Sequence, residues 1–324
     1  MAPPDRVNRS EGVKNIPKII TIGEMLVEIM RRDVDAPLGE PADFVGPFPS
    51  GAPAIFIDAA ARLGISTGMI GSVGRDEFGE CILERLRKDG VDTSMVKETG
   101  ELSTGVAFVA YSSDGSRKFI FHMNNSAAGA VDAGDISKEY VESASVIHIS
   151  GSSLAMGERM REACYKVVKM GKEAGVSISF DPNMRRELGA DRIKKIFAPV
   201  LESCDLLTPS ANELMEISGI GDEEKAAKEM IRRGIKVVAV KDGKMGCRVY
   251  TRDRKVEARA FDVEEVDPTG AGDAFSAGVV VGWLEGMGLE ELAVFANAVG
   301  AKAVTAKGPM EGLAWRKEID KMIK

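Results

Sequence analysis

Histidine is nearly missing from this chain, with only His122 and His148 among 324 residues. That leaves almost no material for a His-ligated zinc site or a Ser-His-Asp triad. His148 stands in an apolar, strand-like run over 145–149 and reads as a core residue. Cysteine is scarce as well. Cys81, Cys164, Cys204 and Cys247 lie far apart, show no metal-ligand spacing and each sit in an apolar segment. That is the pattern of buried free thiols in a reducing cytoplasm. No stretch approaches the roughly 20 apolar residues of a membrane helix, so a membrane partner is not expected. Positive charge is in deficit, with 43 Lys and Arg against 50 Asp and Glu and a net charge of −7. The basic residues are scattered, which argues against a nucleic-acid partner.

What remains is ordinary for a soluble globular protein, with 44% apolar and 29% charged residues. The polar start, with Pro3 and Pro4, lacks the apolar core of a signal peptide, and 1–17 is expected to be a disordered leader. From 18 onward the chain reads as one α/β domain. A short β-branched run over 18–22 suits a buried strand, and helices follow at 53–63 and 78–88 around a strand at 67–70. Two alternating apolar runs around an Asp-Gly turn form a hairpin at 104–123. Strands at 145–149, 176–180, 205–207 and 235–240 then alternate with helices at 157–174, 193–201 and 222–233. This rhythm predicts right-handed βαβ units and a central, mostly parallel sheet sandwiched by helices. An edge strand at 255–260 and helices at 271–286, 289–305 and 313–323 complete the domain. Two insertions, about 25–48 and 104–123, are expected to form a small β-sheet lid.

The most informative segment is Asp267-Pro268-Thr269-Gly270-Ala271-Gly272-Asp273-Ala274-Phe275. A Gly-Ala-Gly turn entering a helix lets unpaired main-chain N–H groups converge on an anion, and the helix dipole adds to the attraction. Asp273 in the first turn is a cap or, beside a bound phosphate, a base that takes a proton from an attacking hydroxyl. Other polar clusters follow strands of the same sheet, where ligands of open parallel sheets bind. These are Gly23 to Glu28, Ser50 to Pro53, Asp181 to Arg185, Pro209 to Glu213, and Lys241 to Gly246. Each has a plainer reading: Glu28 as a solvated lid residue, Ser210 as a helix cap, Asp181-Pro-Asn and Lys241-Asp242-Gly243 as turns. Their joint placement favours a ligand site.

Together these residues resemble the PfkB family of sugar kinases and its ribokinase-like fold. The run from Asp267 to Phe275 matches the family's C-terminal signature, Ser50 to Ala54 the N-terminal one, and the order of elements agrees from about Lys18 onward. The resemblance implies Asp273 as catalytic base, with Gly270, Ala271 and Gly272 as the anion hole for the transferred γ-phosphoryl group. It implies Lys241, Gly243, Gly246 and Asn297 against ATP, and Glu28, Gly51, Asn183, Arg185 and Asp273 around the sugar. Glu213, with Ser210 where the family has Asn, would organise the water shell of Mg²⁺, and a monovalent cation such as K⁺ would bind main chain near Asp267 and Thr269. Family members usually carry Asp at Glu28 and Asn at Ile55. Those acting on 2-keto-3-deoxygluconate often show Tyr-x-Arg where Phe121-His122-Met123 stands.

The expectation is an ATP-dependent kinase acting on a primary hydroxyl of a small sugar. A ketohexose of the fructose or tagatose type leads, with ribose and 2-keto-3-deoxygluconate behind it. Met123 in place of an arginine favours a neutral sugar, while Arg185 keeps an acid open. A nucleoside acceptor would want aromatic stacking, and aromatics are only 6% of the chain. A non-catalytic sugar-binding regulatory module is the alternative from another class. Exposed lid edges invite pairing with a second copy, so a cytoplasmic homodimer joined through the lid is expected.

Overall fold

A computed structural model describes residues 17–185 and 188–324; apart from Pro17, the expected leader lies outside the described residues. The first strand, β1 (Ile19–Ile22), consists of four fully buried residues. Such short, fully buried β-branched runs suit parallel strands covered on both faces. β1 pairs in parallel with β4 (Thr67–Gly74) and β8 (Val146–Ser150). The sheet extends in parallel through β5 (Val91–Thr99) on one side and through β9 (Ser177–Asp181), β10 (Leu206–Leu207) and β11 (Val237–Lys241) on the other. Antiparallel β12 (Cys247–Tyr250) and β13 (Lys255–Ala258) finish it at nine strands.

Helices cover both faces. One face buries α1 (Ala52–Arg62), α2 (Glu77–Lys88), α9 (Ala271–Leu284) and α10 (Leu289–Ala303) in a single apolar cluster. The other buries α5 (Glu158–Glu173), α6 (Ala190–Leu201), α7 (Ala211–Ser218) and α8 (Glu223–Arg232). Short helices α3 (Lys138–Glu142) and α4 (Gly151–Ala155) flank β8, and α11 (Arg316–Ile323) closes the chain. No described helix is long and apolar enough to cross a membrane.

A second sheet of four strands has the order β3-β2-β6-β7, with β2 (Leu26–Arg31), β3 (Phe44–Ser50), β6 (Gly105–Tyr111) and β7 (Arg117–His122). Both insertions read from the sequence contribute to it. Its one parallel pair, β2 with β6, makes it mixed. Two strands, β5 and β12, have no counterpart in the sequence reading. β5 is an edge strand of mixed, half-buried residues, and β12 is only four residues long, so neither carries a strong periodic signal.

Candidate active site

The C-terminal ends of the parallel strands converge on the start of α9. Gly270 caps that helix in the left-handed region, with φ 80°. A Cβ there would meet the Pro309 carbonyl oxygen at 2.5 Å and Ile55 at 3.1 Å, so only glycine fits. No side chain caps the helix, which leaves its first amides directed at the space in front of it.

Asp273 sits in that first turn, 9% exposed. Burial pushes its carboxyl well above the ordinary carboxylate range, and the Asp181 charge pushes in the same direction; Lys241 opposes them. Asn183, in the turn after β9, points its amide nitrogen at Asp273 Oδ1 from 3.5 Å. Asp181, the last residue of β9, accepts from Lys241 Nζ at 2.6 Å and lies 3.0 Å from the Ser276 hydroxyl on α9. Burial works against charge on Lys241, but Asp181, Glu213 and Asp273 outweigh it and hold the ammonium above its ordinary pKa.

Glu213 accepts from the Met184 amide through Oε1, and from the Ser210 amide and hydroxyl through Oε2. Burial disfavours its charge, yet Lys241 and these donors keep its pKa below the usual value. Ser210 and Glu213 thus form a capping box at the start of α7, the plainer reading of Ser210. The same carboxylate pins the turn that carries Asn183 and Arg185.

A cavity of about 570 Å³ opens beside the helix start, lined among others by Lys241, Gly243, Gly246, Ala271, Gly272 and Asn297. Its size suits a small-molecule ligand. Gly246 (φ 99°) faces the main chain of 258–260 so closely that a Cβ would lie 2.1 Å from the Ala258 oxygen. Asn297 donates its amide to the Ala258 and Arg259 carbonyls, fastening one wall of the cavity to α10.

The lid supplies the remaining groups. Glu28, on β2, is 5% exposed, which replaces the solvated reading. One of its oxygens accepts from Ser50 at 2.6 Å; the other, Oε2, is buried with no partner. Burial drives its pKa to about 7, against the Ser50 hydrogen bond and with help from the Asp267 charge. Gly51, with φ 112°, caps α1 alongside, where an added Cβ would lie 2.5 Å from the Glu24 carbonyl oxygen. The Arg185 guanidinium lies over the Phe121 ring at 5.2 Å, where β7 meets the main domain. Tyr111 donates to Asp267 at 2.8 Å and Arg117 to the Thr269 hydroxyl at 2.8 Å, so the lid touches the loop leading into α9. The sequence reading missed Tyr111, Arg117 and the Asp181–Lys241 pair. Asp181 lay within a segment it singled out, whereas the lid contacts join residues more than 150 positions apart.

Comparison with known proteins matches residues 17–316 to the family model described as pfkB family carbohydrate kinase. Fructokinase-1 of Oryza sativa subsp. japonica is 33% identical over 94% of this chain and 97% of its own length. Among solved structures, an E. coli ribokinase II candidate in complex with ATP and Mg²⁺ superposes with a TM-score of 0.91 at 40% identity, covering 95% of this chain and 99% of the other. A fructokinase with bound ATP from Xylella fastidiosa gives 0.82 at 26% identity, covering 95% and 98%.

Proposed function

This chain belongs to the pfkB family of carbohydrate kinases, and on that premise we propose that it moves the γ-phosphoryl group of ATP to a primary hydroxyl of a neutral ketohexose of the fructose or tagatose type. The observation that carries the reading is the arrangement at the start of α9, where an uncapped helix terminus and a buried carboxylate with raised pKa stand side by side.

In this reading the amides of Gly270, Ala271 and Gly272 hold the terminal phosphate oxygens, and Asp273 takes the proton of the acceptor hydroxyl. The freed oxygen attacks the γ-phosphorus, the bond to the bridging oxygen breaks, and ADP leaves. Such transfer needs mostly positioning and charge stabilisation. The nucleotide fits the 570 Å³ cavity along Gly243, Gly246 and Asn297. The sugar fits between Glu28, Gly51, Asn183 and Arg185, where the unpartnered Glu28 Oε2 awaits a hydroxyl donor.

The residues present also fit Mg²⁺ carried by the nucleotide. Among the described residues no cluster of three or more acidic, His or Cys ligands could hold a metal by itself. Magnesium commonly keeps several waters and binds through phosphates and one or two carboxylates. Glu213, ionised and beside Lys241, would orient that water shell. The metal would supply charge neutralisation on the phosphates. A monovalent cation near Asp267 and Thr269 would meet a carboxylate already accepting from Tyr111, Thr269 and Gly308.

A neutral sugar is favoured because Met123 packs against Gly105 in the lid and places no cation there. The lid also supports a homodimer: β7 is an edge strand with Ile120 and Phe121 each 45% exposed. The test is ADP release with a panel of ketohexoses, ribose and 2-keto-3-deoxygluconate. The highest kcat/KM should fall on fructose or tagatose. Sugar binding without ADP release would instead indicate a non-catalytic module.

A further inference from the structure

We propose that the Lys241 ammonium is a contact for the γ-phosphoryl group itself, and that Asp181 is the positioning residue that aims it. This rests on the kinase reading above but assigns a role that the reading leaves open.

The first observation is where the ammonium lies. A Cβ added to Gly272 would have Lys241 Nζ as its nearest neighbour, at 3.4 Å, with Cδ and Cε next. The lysine therefore lies along the second residue of α9, beside the amides that form the anion hole. A cation at a helix N-terminus meets the positive end of the dipole and is unfavourable by itself. Its placement makes sense where an anion is to come between the two.

The second observation is how it is held. Lys241 ends β11 and Asp181 ends β9, two strands with β10 between them. Their side chains meet over β10 at 2.6 Å, with the Asp181 side chain 1% exposed and that of Lys241 17% exposed. The remaining exposure of Lys241 opens on the nucleotide cavity, which it lines. Asp181 is fixed in turn by the Ser276 hydroxyl at 3.0 Å, and that hydroxyl lies 2.8 Å from Thr208 Oγ1 and 3.0 Å from the Gly272 carbonyl oxygen. One carboxylate thus joins β9, β11 and the first two turns of α9. It sets both the direction of the ammonium and its distance from the helix start.

The third observation is charge. Around Lys241 stand Asp181, Glu213 and Asp273, three carboxylates that hold it protonated. With one acid acting as base and one orienting the metal's water, Asp181 is left as the partner that secures the cation. An ammonium on a flexible stem acts on phosphate as a point charge. It can tilt from Asp181 towards a phosphoryl oxygen without leaving the carboxylate field.

A γ-contact predicts a signature that a merely structural lysine would lack. Calorimetric titration of the Lys241→Met protein with a non-hydrolysable ATP analogue and with ADP, both with Mg²⁺, should show roughly tenfold or greater loss for the triphosphate and little change for ADP. Lys241→Arg, which keeps the charge, should recover part of the triphosphate preference, and Asp181→Asn should lose part of it with ADP affinity retained. Thermal melting of each variant checks that it is folded; if Lys241→Met is not, Lys241→Arg and Asp181→Asn carry the comparison. Equal loss of both nucleotides, or loss of neither, overturns the inference and leaves the kinase reading intact. Failure of the unaltered protein to bind either nucleotide overturns both.

Discussion

Tyr111, on the last residue of lid strand β6, donates its hydroxyl proton to Asp267, on the loop that leads into the helix bearing Asp273. With Arg117 on Thr269, it ties the lid to the segment that leads into α9. Lid closure that completes a site also excludes water, which competes as phosphoryl acceptor. Replacing Tyr111 by Phe removes one hydrogen bond to a carboxylate, worth roughly 1.5–3 kcal/mol. The expected result is a rise in sugar KM of about tenfold and more sugar-independent ATP hydrolysis per turnover. If steady-state kinetics show neither change, the tie plays no part in closure.

Glu28 carries a stability cost that depends on pH. Its folded-state pKa of about 7 lies above its ordinary value, so the folded protein binds this proton more tightly than the unfolded chain does. The cost of ionising it is absent at acid pH, grows as pH rises past the ordinary carboxylate range, and is complete above about 7. Glu28→Gln should therefore melt higher than the parent at pH 8, by up to about 3 kcal/mol in stability, with the gain shrinking towards pH 4. The same variant should bind sugar more weakly. A gain that is the same at both pH values contradicts the assignment.

The groups facing Asp273 are Asp181 from β9, Lys241 from β11, Glu24 from the loop after β1, and Arg185 and Asn183 from the turn after β9. A base must be ionised, so with Asp273 in the proposed role the acid limb of kcat/KM should follow its pKa. Asp181→Asn removes a negative neighbour and should move that limb to lower pH. Lys241→Met removes a positive one and should move it to higher pH. Shifts of the same sign in both variants would show that another group controls the limb.

Two glycines at the start of α9 should differ in their tolerance. At Gly270 a Cβ collides with the Pro309 carbonyl, and the backbone conformation disfavours any other residue. Gly270→Ala should lower stability by 1 kcal/mol or more and abolish turnover. At Gly272 the nearest atom is the tip of Lys241, at 3.4 Å. Gly272→Ala should fold normally and keep measurable turnover, because the added Cβ meets that ammonium only at ordinary contact distance. Melting curves and single-turnover rates separate the two, and equal effects would contradict the geometry.

Much of this was legible in the sequence, for physical reasons. Buried parallel strands read as short runs rich in β-branched and apolar residues, so β1, β8, β9 and β11 stand out between the helices. The Gly-Ala-Gly turn before α9 announces itself because only small residues let main-chain amides approach an anion. The strands β5 and β12 were not legible, since one is half polar at a sheet edge and the other too short for periodicity. Glu28 looked like a solvated lid residue; it is buried, hydrogen-bonded to Ser50 and within the field of Asp267, partners that lie outside its own segment. Asp181 read as part of a turn, because its partners Lys241 and Ser276 lie 60 and 95 positions away.

In the proposed mechanism Asp273 removes the acceptor's proton while the start of α9 holds the phosphate. The most direct measurement pairs sugar-dependent ADP release with binding of an ATP analogue in Asp273→Asn, a replacement that keeps the shape and deletes the base. Turnover should fall by a factor of about 10² or more with nucleotide affinity retained. Near-normal turnover in the folded variant would contradict it.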